Sequence, residues 1–261
     1  MTESLAELLG IMARLRGAGG CPWDREQTLA SVAPHTIEEA YEVADAIQRG
    51  DMQHLKDELG DLLFQVVFHS QIASETQQFD FEAVAAAICD KLKRRHPHVF
   101  GGGGELTAAQ QSAVWEEIKA LERSAVEARC GHLDGVPLAL PALMRAFKLS
   151  KRAARVGFDF DHAAQTADKV AEELAEVREA AAGGAPASKE IFEEVGDLLF
   201  AAANLARKLE VDAEAALRSA NAKFERRFRG MELLAAQRGL VFADLNLEAQ
   251  ERLWQEVKRG E

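Results

Sequence analysis

Apolar residues recur at every third or fourth position along most of this chain, which is the spacing that places them on one face of an α-helix. In the first half, the pattern predicts helices over residues 4–16, 54–70, 81–95 and 108–127. Glycine and proline interrupt the pattern between residues 128 and 141, so we expect a linker there. The chain is therefore predicted to be an all-α protein.

The second half of the chain repeats the first half in the same order. A helix predicted over residues 143–155 matches the opening helix, and a basic segment at 221–228 matches the one at 90–96. A Trp-x-x-x-Lys motif follows each basic segment. We therefore expect two tandem repeats of a four-helix-bundle-like domain, residues 1–127 and residues 142–261.

Two pairs of carboxylates at helical spacing stand in the second repeat. Glu173 and Glu176 are three residues apart, so they project from one face of a helix. Glu194 and Asp197 form a second pair with the same spacing. If the two helices pack antiparallel across a short connection, the pairs converge into a pocket of oxygen ligands, which suits Mg²⁺. The alternative is a solvated acidic face, because runs of charge usually face water.

The first repeat carries the same set of carboxylates at the same spacing: Glu39, Glu42, Glu58 and Asp61. Repetition of the whole pattern favours a site over a chance acidic surface. Thr36 stands three residues before Glu39, as in a capping box, so we expect a helix to begin near Thr36 with Glu39 partly engaged as a cap. A glycine inside each second carboxylate helix, Gly60 or Gly196, suggests a close approach of helices.

Basic and aromatic residues near the end of the chain suit a nucleotide ligand. Lys223 and Arg227 are four residues apart and share a helix face, where they could bind phosphate oxygens. Trp254 could stack on a base, with Lys258 one turn away. The alternatives are a solvated basic stripe and a tryptophan in the core.

Residues before the carboxylates indicate which repeat is active. Lys169 lies four residues before Glu173 on the same helix face and carries a permanent positive charge. The matching residue of the first repeat is His35, which is mostly neutral at pH 7. We therefore expect the second repeat to hold a triphosphate better than the first.

Composition and charge narrow the class of protein. The hydrophobic fraction of 48% is typical of a globular protein, and the formal net charge of −12 disfavours binding to nucleic acid. The three cysteines are widely spaced, which predicts buried reduced thiols rather than disulfides or a zinc site. The first residues do not resemble a signal peptide, and no apolar run is long enough to span a bilayer. A cytoplasmic protein is predicted.

Taken together, the motifs resemble those of the MazG family, within the all-α nucleoside triphosphate pyrophosphohydrolase superfamily. The similarity covers nearly the whole chain and includes Cys21-Pro-Trp-Asp24, both sets of E-E-x-x-E and E-x-x-D motifs, and residues 223–228. It implies a homodimer that uses Mg²⁺, with Mn²⁺ as a substitute, and cleaves nucleoside triphosphates to NMP and pyrophosphate. Broad NTP and dNTP specificity, a role in nucleotide-pool cleansing or alarmone control, and a regulatory protein partner are compatible with it.

The resemblance implies that the second repeat is the catalytic one. The residues implied to bind the metal are Glu173, Glu176, Glu194 and Asp197. The residues implied to hold the nucleotide are Lys169, Lys189, Lys223, Arg226, Arg227, Trp254 and Lys258. Glu172 and Glu193, which adjoin the metal ligands, are candidates to orient the attacking water, with exposed surface as the alternative. A second site, expected to be weak or structural, comprises Glu39, Glu42, Glu58, Asp61, Lys91, Arg95, Trp115 and Lys119.

Two other classes of protein are considered on the sequence alone. A di-iron carboxylate bundle also places glutamates on facing helices, but it needs Glu-x-x-His motifs, which do not occur in this sequence. A helical interaction scaffold would use its acidic faces only as surface, and it would bind no nucleotide.

Overall fold

The computed structural model describes residues 3–101, 107, 110–111, 114–115, 118, 131–183 and 185–261. The chain divides into two compact units, Met1–Glu122 and Arg123–Glu261, and each is described by itself. The described residues form helices and their connections, and no strand occurs among them. The predicted all-α fold is therefore confirmed. None of the described helices is both long and apolar enough to cross a membrane.

The first unit begins with six helices among its described residues. Their bounds are α1 Glu3–Arg16, α2 Pro22–Glu26, α3 Leu29–Arg49, α4 Met52–Glu75, α5 Phe81–Arg95 and α6 Pro97–Phe100. Helix α5 matches its predicted bounds, whereas α4 extends beyond the predicted 54–70 at both ends. Most of the helix predicted over residues 108–127 lies outside the described residues.

Helices α3 and α4 form the hairpin that carries the first set of carboxylates. Gly50 ends α3 with a φ of 70°, a left-handed conformation that glycine adopts without steric cost. Asp51 then caps α4 by accepting hydrogen bonds from the backbone N–H groups of Gln53 and His54. The short connection makes the two helices antiparallel neighbours. Apolar side chains of α1, α3 and α4 form the core of this unit: Met12, Val32, Val67, Phe68 and Ile72.

The start of α3 corrects a prediction from the sequence. The helix begins well before Thr36, because Thr28 is its N-cap and forms a capping box with Ser31. Thr36 and His35 therefore lie inside the helix. Glu39 lies still deeper in the helix, so the predicted capping role of its side chain is wrong.

The second unit contains five α-helices and a short 3₁₀ helix among its described residues. The bounds are α7 Ala142–Arg155, α8 Ala163–Gly183, α9 Lys189–Lys208, α10 Ala213–Gln237, the 3₁₀ helix Phe242–Asp244, and α11 Leu247–Arg259. Helices α8 and α9 form the second carboxylate hairpin. Ser188 fixes the start of α9, since its hydroxyl accepts a hydrogen bond from the backbone N–H of Ile191.

Close packing of α10 against α11 depends on a glycine. A Cβ on Gly230 would lie 3.0 Å from Cγ1 of Val257, so a larger residue would require the Val257 side chain to shift by a few tenths of an ångström. By contrast, no atom outside the local backbone lies within 4 Å of a Cβ built on Gly60 or Gly196. Among the described residues of each unit, the close helix approach predicted at these two glycines is therefore wrong. The buried members of the α10–α11 core are Met231, Ala235 and Leu253.

The described part of the predicted linker, residues 131–141, belongs to the second unit, where Val136 is buried and Arg152 donates a hydrogen bond to the carbonyl oxygen of Asp134. Cys89 is exposed, so the expectation of a buried thiol is wrong for this residue. Cys130 lies outside the described residues.

Candidate active site

The α8–α9 hairpin brings together three of the four carboxylates predicted to bind a metal. Glu173, Glu194 and Asp197 each place one oxygen within 4.8 Å of the other two. Glu173 is only 6% exposed, Glu194 is half-buried and Asp197 faces solvent. A buried carboxylate needs a compensating positive charge, and three converging oxygens provide ligands that a hard divalent cation prefers.

Glu176 lies beside this group rather than within it. A hydrogen bond with Glu173 raises the pKa of the Glu176 carboxyl, and desolvation and the negative charges of Glu173 and Glu194 raise it further, while the charge of Lys169 opposes the shift. Negative charges close to a carboxyl group favour its protonated form. A divalent cation bound here would reverse that preference.

Lysines pair with both glutamates that are candidates to orient water. The Nζ atom of Lys169 lies 2.8 Å from Oε1 of Glu172 and 2.7 Å from Oε1 of Glu173. Hydrogen bonds to Glu172 and, to a smaller extent, to Glu173 raise the pKa of Lys169 well above its ordinary value, so the ammonium group stays charged. The Nζ atom of Lys189 lies 3.4 Å from Oε1 of Glu193, but both side chains are exposed, so this ion pair contributes little to stability.

A second cluster gathers three of the predicted nucleotide-binding residues at the α10–α11 contact. Cζ of Arg227 lies 5.5 Å from the centroid of the Trp254 ring, a distance at which a cation interacts with the ring. Trp254 also packs against Phe224, with ring centroids 5.6 Å apart, so it belongs partly to the core. Arg226 and Arg227 both form ion pairs with Glu261. The two other predicted nucleotide ligands on these helices are exposed: Lys223 and Lys258.

The α3–α4 hairpin of the first unit repeats the acidic arrangement. Glu39, Glu58 and Asp61 each place one oxygen within 4.8 Å of the other two, and Glu58 is only 8% exposed. Desolvation raises the pKa of Glu39 and of Glu58, and the neighbouring Glu42 raises both further. Both hairpins therefore bring acidic groups together as their sequence spacing predicts.

The two acidic centres differ in the groups around the inner glutamate. His35, which matches Lys169 of the second unit, lies beside Glu38, with 3.4 Å between Nδ1 and Oε2. Glu39 instead accepts a hydrogen bond from the side-chain amide of Gln65 at 3.3 Å. Sequence reasoning missed Gln65, although it follows the E-x-x-D motif by one helical turn.

Two other residues predicted for the site of the first repeat, Arg95 and Trp115, contact each other. The indole N–H of Trp115 donates to the backbone oxygen of Arg95 at 2.9 Å, and its ring meets the His96 ring edge-on. This tryptophan is thus engaged within its own unit. Lys91 is exposed. Lys119 lies outside the described residues.

Sequence reasoning also missed a polar group beside α9. Burial opposes ionisation of Asp159, but hydrogen bonds from Arg207 and Lys208 outweigh it and lower the pKa of Asp159. A cavity of about 420 Å³ adjoins this group. Aromatic side chains supply much of its lining: Phe158, Phe160 and Phe200.

Comparison with known proteins bears on what these centres do. The profile of the MazG nucleotide pyrophosphohydrolase domain matches residues 27–100, and that of phosphoribosyl-ATP pyrophosphohydrolase matches residues 140–224. A nucleoside triphosphate pyrophosphohydrolase of Escherichia coli K12 is 53% identical over 260 residues, which cover 99% of this chain and 98% of the relative. The chain belongs to the MazG family.

Further relatives fit this membership. A protein of Thermotoga maritima named nucleoside triphosphate pyrophosphohydrolase/pyrophosphatase MazG is 43% identical, over 98% of this chain and 96% of its own length. The resemblance stated from the motifs, and with it the enzyme class, is confirmed. A crystal structure of a mazG-related protein from Thermotoga maritima covers 44% of this chain and 98% of that chain, with 24% identity and a TM-score of 0.39.

Proposed function

We propose that this protein is a Mg²⁺-dependent nucleoside triphosphate pyrophosphohydrolase whose second repeat carries the active site. Water would attack the α-phosphorus, the bond from that phosphorus to the oxygen bridging to the β-phosphate would break, and pyrophosphate would leave. The products are NMP, pyrophosphate and a proton. The convergence of Glu173, Glu194 and Asp197 within 4.8 Å is the observation that carries the proposal.

The carboxylates that converge in the second repeat fit Mg²⁺. All three converging ligands are carboxylate oxygens, and the exposed Asp197 leaves one side of the group open to solvent and substrate. When bound, Mg²⁺ would neutralise phosphate charge and lower the pKa of a coordinated water. Glu176, whose carboxyl is hydrogen-bonded to Glu173, is the natural fourth acidic group of this site.

Other side chains of the second unit would bind the attacking water and the nucleotide. Glu172 and Glu193 are placed beside the metal ligands in sequence, and either could accept a hydrogen bond from the attacking water. Lys169 would keep a positive charge next to Glu173, where a phosphate oxygen could replace one of its carboxylate partners. Arg226, Arg227 and the Trp254 ring would bind the remaining phosphate and base.

Isotope labelling tests the proposed bond cleavage. Incubation with a panel of NTPs and dNTPs in ¹⁸O-labelled water and Mg²⁺ should give NMP that carries the label and unlabelled pyrophosphate. EDTA should abolish turnover, and Mn²⁺ should restore it. Formation of NDP and orthophosphate, or label in the pyrophosphate, would overturn the proposed reaction.

The apolar surface of α9 supports a proposal that the protein is a homodimer. Phe192, Val195 and Leu199 lie on neighbouring turns of this helix and are all exposed, with Phe192 79% accessible. A second copy of the chain could cover this surface. We also propose that the protein acts in the cytoplasm, where nucleoside triphosphates occur. A regulatory protein partner stays a prediction.

A further inference from the structure

Glu261 connects the two arginines of the nucleotide-binding cluster. Its Oε1 atom accepts hydrogen bonds from Nε of Arg226 at 3.0 Å and from Nη2 of Arg226 at 2.8 Å. Its Oε2 atom accepts equivalent bonds from Arg227, at 2.9 Å from Nε and 2.8 Å from Nη2. One carboxylate therefore receives four donors from two guanidinium groups.

A guanidinium group binds a phosphate through the same pair of N–H groups that each arginine here donates to Glu261. An Arg presents two parallel N–H groups, and either a carboxylate or a phosphate can accept them. Arg227 does not depend on Glu261 alone for its position, because its guanidinium also lies over the Trp254 ring. Glu261 thus occupies N–H groups that a phosphate would use, and at Arg227 the ring of Trp254 provides a second contact that holds the guanidinium in place.

The position of Glu261 in the chain allows it to move. Helix α11 ends at Arg259, and Gly260 is the only residue between that end and Glu261. Rotation at Gly260 would withdraw the carboxylate without disturbing the hydrogen bonds of the helix. A group tethered so closely has a high effective concentration at the arginines, yet it can be displaced.

We propose that Glu261 is an internal competitor that occupies the phosphate-binding edges of Arg226 and Arg227 until the phosphates of a ligand displace it. The inference rests on the proposed function, since it takes both arginines as phosphate ligands. Its consequence is weaker binding of every phosphate ligand at this cluster, including the pyrophosphate product. Glu261 would therefore favour product release at the expense of substrate affinity.

The Glu261→Gln variant tests this competition, with inorganic pyrophosphate and Mg²⁺ as the probe. Removing the negative charge should tighten pyrophosphate binding, measured by calorimetry, and lower KM for an NTP, each by roughly fivefold. Glu256→Gln is the matched control, because Glu256 lies on the same helix but pairs with Arg238 instead. Its affinity for pyrophosphate should equal that of the wild type.

Several outcomes would overturn the inference. Equal affinity in the Glu261→Gln and Glu256→Gln variants would show no competition, and weaker binding in Glu261→Gln would show that Glu261 positions the arginines for phosphate. Glu261→Ala, checked by thermal unfolding, provides a second variant with the same expected gain. Calorimetry requires no turnover, so absence of NTP hydrolysis in the wild type would refute the proposed function while this comparison still decided the role of Glu261.

Discussion

At the scale of single residues, the inner glutamates of the two centres have different neighbours. Glu173 is paired with Lys169, whereas Glu39 is held by the neutral amide of Gln65. We predict that Glu173→Gln or Glu194→Gln lowers kcat by roughly 100-fold or more, because each removes one charged ligand of the proposed metal site. The same change at Glu39 should leave most turnover in place.

Matched variants in the two repeats test which repeat carries the active site. Glu58→Gln is the first-repeat counterpart of Glu194→Gln, so kcat for all four variants is compared after thermal unfolding has shown that each is folded. Loss of activity only in the first-repeat variants would reverse the assignment. Equal loss in all four would indicate that the two repeats act as one coupled site.

Raised pKa values at the acidic centres predict how pH affects stability. Glu39, Glu58 and Glu176 have pKa values above their ordinary value of 4.5, so the folded protein holds protons that the unfolded chain releases. Their contribution to stability therefore falls as pH rises from 4.5 through the raised values. A bound cation replaces those protons, so Mg²⁺ should raise Tm more at about pH 7.5 than at about pH 5.

Thermal unfolding with Mg²⁺ or EDTA at both pH values checks this expectation. Glu176→Gln removes one of the titrating groups, so it should reduce the difference in the Mg²⁺-induced shift between the two pH values. An equal shift at both pH values in the wild type would contradict the link between these carboxyl groups and the metal.

The carboxylates could be found from the sequence because their role depends on spacing within a helix. Glu194 and Asp197 need only a regular helix to project together, and α9 provides it. Gln65 and Glu261 could not be found in this way. Their partners lie on other elements, and only the tertiary structure places the Gln65 amide near Glu39 or the Glu261 carboxylate between two arginines.

At the scale of helices, the wrongly predicted start of α3 shows that local sequence patterns can favour more than one first turn. Thr36 and Glu39 satisfy the spacing of a capping box, and a proline disfavours the interior of a helix, so Pro34 also favours a start after it. Pro34 instead lies inside the helix, and the cap at Thr28 determines the first turn. Thr28 is also a residue type favoured at an N-cap, so local rules alone do not decide between a start there and one at Thr36.

The cap at Thr28 makes a prediction for the stability of the first carboxylate hairpin. Thr28→Ala removes the hydroxyl that accepts the backbone N–H of Ser31, and it should lower the free energy of unfolding of the first unit by about 1 kcal/mol. Thr28→Ser keeps the acceptor and is the control. Denaturant unfolding measures both, and equal stability of Thr28→Ala and wild type would contradict the assigned helix start.

At the scale of the whole molecule, both carboxylate hairpins expose apolar side chains beside the carboxylates. On α9 the exposed Phe192, Val195 and Leu199 adjoin Gly196, which has open space around its Cβ position. On α4 the exposed Leu59 and Leu63 lie at similar places around Gly60. The glycines predicted to allow a close helix approach therefore face open space within each unit, where a helix of a second copy could approach.

The predicted homodimer follows from covering the apolar surface of α9. Phe192→Glu places a charge where a second copy would exclude water, so the dimer should dissociate and light scattering should give a mass near 28.5 kDa. Leu247→Glu is the control, because Leu247 is also 79% exposed but lies on a different helix, at the start of α11. It should leave the dimer intact. A wild-type mass near that of the monomer across micromolar concentrations would contradict the dimer, and dissociation by Leu247→Glu alone would place the interface on α11 instead.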